Sequence, residues 1–218
     1  RLGLTSSLHG VDTSTLTAYF TTEMKRQSPI ILASTSPYRK MLLERFPIAF
    51  ETAASDVDES VRTGETPATL VRRLALEKAE AVASEHPSAL VVGCDQVAEC
   101  EGRSVGKPLT APQAILQLQE FSGRSVNFLS AFAIVRLDDS FRWERTVPTD
   151  VAFRNLEREE IERYVSLDEP LDCAGSFRSE ANGPALLEHM RSDDPTAIMG
   201  LPMIELSKGL RAGGVPLP

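Results

Sequence analysis

A four-residue apolar run, Ile30-Ile31-Leu32-Ala33, breaks off at Ser34-Thr35-Ser36-Pro37, and this junction constrains the chain more than any other stretch. A short continuous apolar run bounded by turn residues reads as a buried strand. Ser36 is a good N-cap, and Pro37 has its φ already set for a first helical turn. Leu42, Leu43 and Phe46 then recur at helical spacing. Residues 30–46 therefore predict a strand, a tight turn and a helix. Such a junction aims unpaired N–H groups and the positive end of a helix dipole at one spot, where an anion is stabilised.

The rest of the chain continues this alternation. Residues 51–65 are polar and acidic (Asp56, Asp58, Glu59) and predict a loop. A helix is expected from Thr66-Pro67 to about Glu85, with an apolar stripe of Leu70, Val71, Leu74, Ala75, Ala81 and Val82. Lys78 falls on that inward stripe, so it either snorkels or meets an anion. Residues 89–97 predict a strand that carries Asp95 near its far end. Turns follow at Glu101-Gly102 and Gly106-Lys107-Pro108, and a helix runs from Pro112 to Phe121. Residues 126–136 and 143–153 predict a hairpin around Asp138-Asp139. Helices are expected at about 157–166, 184–190 and 203–212, with a Gly-containing polar stretch from Cys173 to Glu180. Helices and strands that alternate in this way indicate an α/β fold.

Length and composition bound the function. The 218 residues fit one large domain or two small lobes and suffice to bury a real core. A net charge of −8 argues against a protein that grips a nucleic-acid polymer, which needs a basic face. A local basic pocket for a small anion remains compatible with it. No stretch reaches the roughly 20 apolar residues of a spanning helix, so no membrane partner is expected. Three cysteines, at 94, 100 and 173, form neither a disulfide framework nor a zinc spacing; they predict reduced thiols and a cytoplasmic protein. Residues 1–23 are rich in Ser, Thr, Gly and Leu without the apolar core of a signal peptide. Met24 is therefore expected as the true start. Residues 1–27 are read as an N-terminal extension, disordered or foreign to the native protein, and 28–218 as a single domain.

Three groups of residues could carry chemistry. Ser34, Ser36 and Arg39 would converge on one anion at the first junction; the bland alternative is a capped helix with a surface Arg. Asp95 closes a buried run and must be paired, hydrogen-bonded or metal-bound, because isolated buried charge is costly. Its bland alternative is a structural Asp that bonds loop amides. Glu59, Lys78 and Lys107 are each unremarkable alone, Lys78 least so because of its stripe position. There is no Walker A sequence and no G-x-G-x-x-G. His9, His86 and His189 show no ligand spacing. Cys94 reads as core, since no His stands at motif spacing.

Taken together these segments resemble the Maf family of nucleotide pyrophosphatases over about residues 29–214. The resemblance is carried by Ile31-Leu-Ala-Ser-Thr-Ser-Pro-Tyr-Arg39, Asp56-Val-Asp-Glu59, Glu77-Lys-Ala79 and Gly93-Cys-Asp-Gln-Val97. It continues in Gly106-Lys-Pro-Leu-Thr110, Cys173-Ala-Gly-Ser-Phe177 and Gly200-Leu-Pro202. It implies a fold like that of Maf and inosine triphosphate pyrophosphatases, with an elongated mixed central sheet flanked by helices and a cleft between two lobes. It implies hydrolysis of a nucleoside triphosphate between its α and β phosphates, assisted by a divalent metal, Mg²⁺ or Mn²⁺, with a homodimer as the family expectation. Ser34, Ser36, Arg39, Lys78 and Lys107 would hold the phosphates. Glu59 and Asp95 would bind the metal, and Asp95 would also orient or deprotonate the attacking water.

Within that resemblance, the positions that mark substrate branches fall on Tyr38, Gln96 and Glu180. An aromatic residue, Gln and Glu resemble the 7-methyl-GTP branch, whereas the pyrimidine branch typically has Arg, Thr and Gln. Methylation at N7 makes guanine a cation, which an aromatic face and a carboxylate both favour. The expected function is thus house-cleaning hydrolysis of 7-methyl-GTP. The alternatives are a dTTP/UTP pyrophosphatase and a non-catalytic nucleotide-binding regulator of septum formation.

Overall fold

The computed structural model describes residues 28–218; the extension at 1–27 and the start at Met24 lie outside the described residues. Strand β1 (Ile30–Ala33) is buried along its whole length. Helix α1 (Pro37–Leu43) starts at the Ser36 cap, whose hydroxyl accepts from the Arg39 amide. The helix stops three residues short of Phe46, which packs against the core from beyond its end. Helix α2 (Pro67–Glu85) opens on a reciprocal cap between Thr66 and Thr69, with Pro67 at its first position.

These elements flank a seven-stranded mixed sheet. Strand β2 (Glu51–Thr52) lies parallel to β1, and β1 lies parallel to β3 (Leu90–Cys100). The remaining pairings are antiparallel: β3 with β4 (Arg103–Val105) and with β5 (Ser125–Arg136), β5 with β6 (Phe141–Phe153), and β6 with β7 (Leu187–Ser192). Helices α3 (Ala111–Phe121), α4 (Arg158–Asp168) and α5 (Met203–Ala212) complete the α/β architecture. No helix among the described residues is long and apolar enough to cross a membrane.

The expected helix at 184–190 is a correction. A 3₁₀ turn (Gly183–Leu186) leads directly into β7. Leu186 and Leu187 are the only aliphatic anchors there, too few for a helical stripe, and the edge of β6 offers a row of unpaired main-chain groups to Leu187–Ser192. Strand β2 falls in the expected loop, and β4 falls between the two expected turns. They carry no apolar pattern and exist because the edges of β1 and β3 give them partners.

Two cores meet on β3. One gathers Leu32, Leu42, Val92, Cys94 and Leu206; the other gathers Ala98, Leu118, Phe128, Tyr164 and Phe177. Strand β3 is buried from Leu90 to Cys94, opens at Asp95 and Gln96, and is buried again at Val97 and Ala98. The incompletely buried pair therefore marks the seam between two hydrophobic lobes.

Candidate functional site

The seam coincides with a gap in the hydrogen-bond ladder. Strand β5 covers one edge of β3 from Val91 to Glu99. On the opposite edge β1 ends its pairing at Gly93, and β4 begins only at Ala98. Residues 94–97 are left with main-chain groups that face the end of β1 and the start of α1. Arg39 fills part of this gap. Its Nη1 donates to the Cys94 carbonyl at 2.8 Å and to Ser34 Oγ at 3.4 Å, and its Nε donates to the Gly200 carbonyl at 3.1 Å. Ser34 Oγ also accepts from the Ser36 amide at 3.2 Å. The turn expected to bind an anion is thus a connected Ser34–Ser36–Arg39 unit, with the guanidinium anchored to main chain.

Lys78 reaches the same gap from α2. Val91, Gly93, Asp95 and Val97 alternate onto the face of β3 that α2 covers, and glycine at 93 permits the contact. A Cβ at this position would lie 2.2 Å from the Ala75 carbonyl oxygen and 2.5 Å from the Ala79 nitrogen. With the helix backbone this close, the buried Lys78 ammonium sits 2.8 Å from Asp95 Oδ1 and 2.6 Å from Glu59 Oε1. Of the two readings of Lys78, an anionic partner is the one the structure shows. Burial pushes the Glu59 carboxyl upward, but the Lys78 hydrogen bond and charge, with Lys107 and Arg39 nearby, outweigh it and hold the group below its ordinary value. Lys107 itself is exposed on the turn before α3. Its charge is among those that lower the Glu59 carboxyl.

Sequence reasoning missed how Glu59 is positioned. Arg73 on α2 donates to both oxygens of Glu65 (2.7 and 2.9 Å), to Glu77 at 2.9 Å, and to the carbonyls of Ser60 (2.9 Å) and Asp58 (3.3 Å). One guanidinium therefore clasps the acidic loop on both sides of Glu59. Arg73 holds the Glu65 carboxyl at about 2, far below the ordinary 4.5. The available signal was an arginine five residues before Lys78, opposite an acidic loop.

The three residues expected to read the base separate into a pair and a single. Tyr38 and Glu180 share one partner. The Arg178 guanidinium lies over the Tyr38 ring, 5.4 Å from its centroid, and donates to the Tyr38 hydroxyl, while its Nε approaches Glu180 at 3.6 Å. Burial, with the charges of Cys173 and Asp172, pushes the Tyr38 hydroxyl up to about 12, so the ring stays a neutral phenol. The loop that carries Arg178 and Glu180 is seated by Phe177, which packs against Phe128 and Phe153. Gln96 points away from Asp95, to the face of β3 that meets α1 through Val92 and Cys94. Its amide nitrogen lies 2.9 Å from Ser130 Oγ, 3.1 Å from the Ala197 carbonyl and 2.9 Å from the Ile198 carbonyl. It thus fastens the loop whose Gly200 carbonyl holds Arg39, and its amide nitrogen is spent on that task.

This arrangement suits an anion flanked by carboxylates. No cluster of three or more His, Cys, Asp or Glu side chains poised for a metal occurs among the described residues. Glu59 and Asp95 nevertheless form a fitting donor pair for a hard divalent cation, which is commonly held by one or two carboxylates together with substrate phosphates. Both engage Lys78 through a single oxygen, which leaves the second oxygen of each outside that contact.

A model of the Maf-like protein family matches residues 29–213. Several relatives bear the name 7-methyl-GTP pyrophosphatase. The chain is 52% identical to one from Aromatoleum aromaticum over 193 residues, covering 88% of this chain and all of that protein. It is 46% identical to one from Polaromonas sp. over 214 residues, 98% of this chain and 96% of the relative. A third, from Pseudomonas aeruginosa, is 46% identical over 189 residues, 87% and 98% of the two chains.

Proposed function

We propose that this chain, which belongs to the Maf family, hydrolyses 7-methyl-GTP to the nucleoside monophosphate and pyrophosphate. The observation that carries the reading is the meeting of Lys78 with Asp95 and Glu59 beside the main-chain-anchored Arg39. Its support is the similarity to relatives of that name over most of the chain.

The chemistry follows from the charges. Arg39 keeps its Nη2 for a phosphate oxygen while its Nε and Nη1 hold it in place. Lys78 and Lys107 add positive charge, and Ser34 and Ser36 add hydroxyl donors. Phosphoryl transfer depends mainly on such positioning and electrostatic stabilisation. Glu59 and Asp95 would hold a divalent cation, Mg²⁺ or Mn²⁺, which would supply Lewis-acid charge to the phosphate oxygens. Asp95 orients a water at the carboxylate oxygen that Lys78 leaves free and takes its proton. The water oxygen bonds to the α-phosphorus as the bond to the bridging oxygen breaks, and pyrophosphate leaves. Tyr38 and Glu180 favour the cationic base by ring face and by charge. The three free thiols fit a reducing compartment, the cytoplasm.

The test is pyrophosphate release from 7-methyl-GTP, GTP, UTP and dTTP, with Mg²⁺, with Mn²⁺ and with chelator. Metal-dependent turnover that favours 7-methyl-GTP is expected. Equal rates with UTP or dTTP would overturn the substrate, and binding without pyrophosphate release would overturn the reaction.

A further inference from the structure

The aromatic face and the carboxylate assigned to a cationic base already hold a cation. Arg178 covers the Tyr38 ring at 5.4 Å and reaches Glu180 at 3.6 Å. Its Nη1 is tied to the Asp168 carbonyl at 2.7 Å, and its own amide donates to the Tyr164 hydroxyl at 2.8 Å. The Tyr164 contact fixes the backbone of Arg178, and the Asp168 carbonyl holds one nitrogen of the guanidinium, which spans the space between Tyr38 and Glu180 and must leave that anchor to swing out. Asp168 is buried, and its carboxylate is satisfied by the amide and side chain of Asn182. The Asp168 carboxylate thus offers Arg178 no alternative ion pair.

We infer that Arg178 is a specificity-determining residue that acts as a resident substitute for the base: a positively charged purine enters by exchanging with this guanidinium on Tyr38 and Glu180. The inference rests on the proposed 7-methyl-GTP reading and adds to it the group that the base must displace. Two cations cannot share one ring face and one carboxylate without repulsion. With Arg178 in place the clamp is neutral, which spares Glu180 an unpaired charge between turnovers. A cationic base regains both contacts when the guanidinium swings out. A neutral base is not repelled by the guanidinium and need not displace it, so Arg178 opposes the methylated base more than GTP and limits the gap between them.

The test compares wild type, Arg178→Gln and Arg178→Lys with 7-methyl-GTP and GTP, with KM and kcat measured separately. Arg178→Met, which keeps the aliphatic stem against Tyr38, is measured alongside in case Arg178→Gln fails to fold. Removal of the competing charge is expected to lower KM for 7-methyl-GTP by about three- to tenfold. KM for GTP should shift less, and the change should fall on KM more than on kcat. Arg178→Lys, which keeps a charge near Glu180, should lie closer to wild type. A purely structural role would raise KM for both nucleotides together. An unchanged or raised KM for 7-methyl-GTP in the uncharged variants overturns the exchange. A wild type that does not prefer 7-methyl-GTP instead overturns the substrate reading, so the two failures are distinct.

Discussion

Lys78 Nζ and Asp95 Oδ1 meet at 2.8 Å across the packing of α2 on β3. The contact depends on the glycine two residues before Asp95, which admits the α2 backbone. A methyl group there has no soft neighbour to displace: its nearest atoms are main-chain groups of α2. Gly93→Ala is therefore expected to destabilise the protein by about 2–4 kcal/mol. Activity should fall with it, because Lys78 is carried on the displaced helix. Chemical denaturation and pyrophosphate release on the same preparation measure both. Unchanged stability would mean that α2 is not seated as described.

Asp95→Asn keeps the size of the side chain and a carbonyl oxygen for Lys78, but removes the negative charge and the proton acceptor. Turnover should drop by about 10²–10⁴-fold, the range for loss of a general base, with the fold intact. Pyrophosphate release and thermal melting separate the two effects. Near-normal turnover would remove Asp95 from the reaction.

Arg73 makes a pH-dependent clasp. The Glu65 carboxyl is held at about 2 against an ordinary 4.5 by the Arg73 hydrogen bond, with the Arg62 amide assisting. A depressed carboxyl contributes stability that is fully present above about 4.5 and is lost as pH falls toward 2. Arg73→Gln removes the cause. The wild type should lose stability across that acid window, and the variant should start lower and fall less steeply. Melting temperature against pH measures this. Because the same guanidinium holds Asp58 and Ser60, turnover at neutral pH should also drop several-fold through misplacement of Glu59. Parallel melting curves for the two proteins would refute the clasp.

Gly200 holds a backbone with φ at +94° and gives its carbonyl to Arg39. An added Cβ would meet Arg39 Nε at 3.3 Å. Gly200→Ala combines backbone strain of about 1–3 kcal/mol with a push on the guanidinium. A lower melting temperature and a reduced kcat are expected together. A stability loss with undiminished kcat would show that Arg39 adjusts freely.

The elements legible in the sequence are those with internal patterns. Strand β1, α1 and α2 announce themselves through caps, prolines and an apolar period, and so does the inward position of Lys78. Strands β2, β4 and β7 lack such patterns, since each exists through a neighbour's free edge rather than its own residues. The same division runs through the site. Ser34, Ser36 and Arg39 lie within one short segment, so their convergence follows from local geometry. The Arg73–Asp58 contact crosses a loop and the Arg178–Tyr38 contact joins distant segments, 15 and 140 residues apart, so no helical or strand spacing reveals them. Gln96 follows Asp95 directly yet points to the opposite face of β3, because β-strand side chains alternate, and its amide nitrogen is taken up by the 197–198 carbonyls.

The contribution of the Tyr38 ring to substrate choice can be isolated by paired substitutions. Stacking against the ring benefits a neutral and a methylated guanine alike, so it cancels in the ratio of kcat/KM for 7-methyl-GTP over GTP. What survives in that ratio is the attraction of the ring face for the positive charge, about 0.5–2 kcal/mol, or roughly two- to thirtyfold. Tyr38→Leu should lower the ratio by that factor while raising KM for both nucleotides. Tyr38→Phe keeps the ring and loses only the hydroxyl to which Arg178 donates, so its ratio should stay within about twofold of wild type. Glu180→Gln removes the second source of discrimination and should lower the ratio by about two- to fivefold, as expected for a partly exposed charge pair. If Tyr38→Leu leaves the ratio unchanged while raising both KM values, the ring only stacks, and selection of the cation must rest on Glu180.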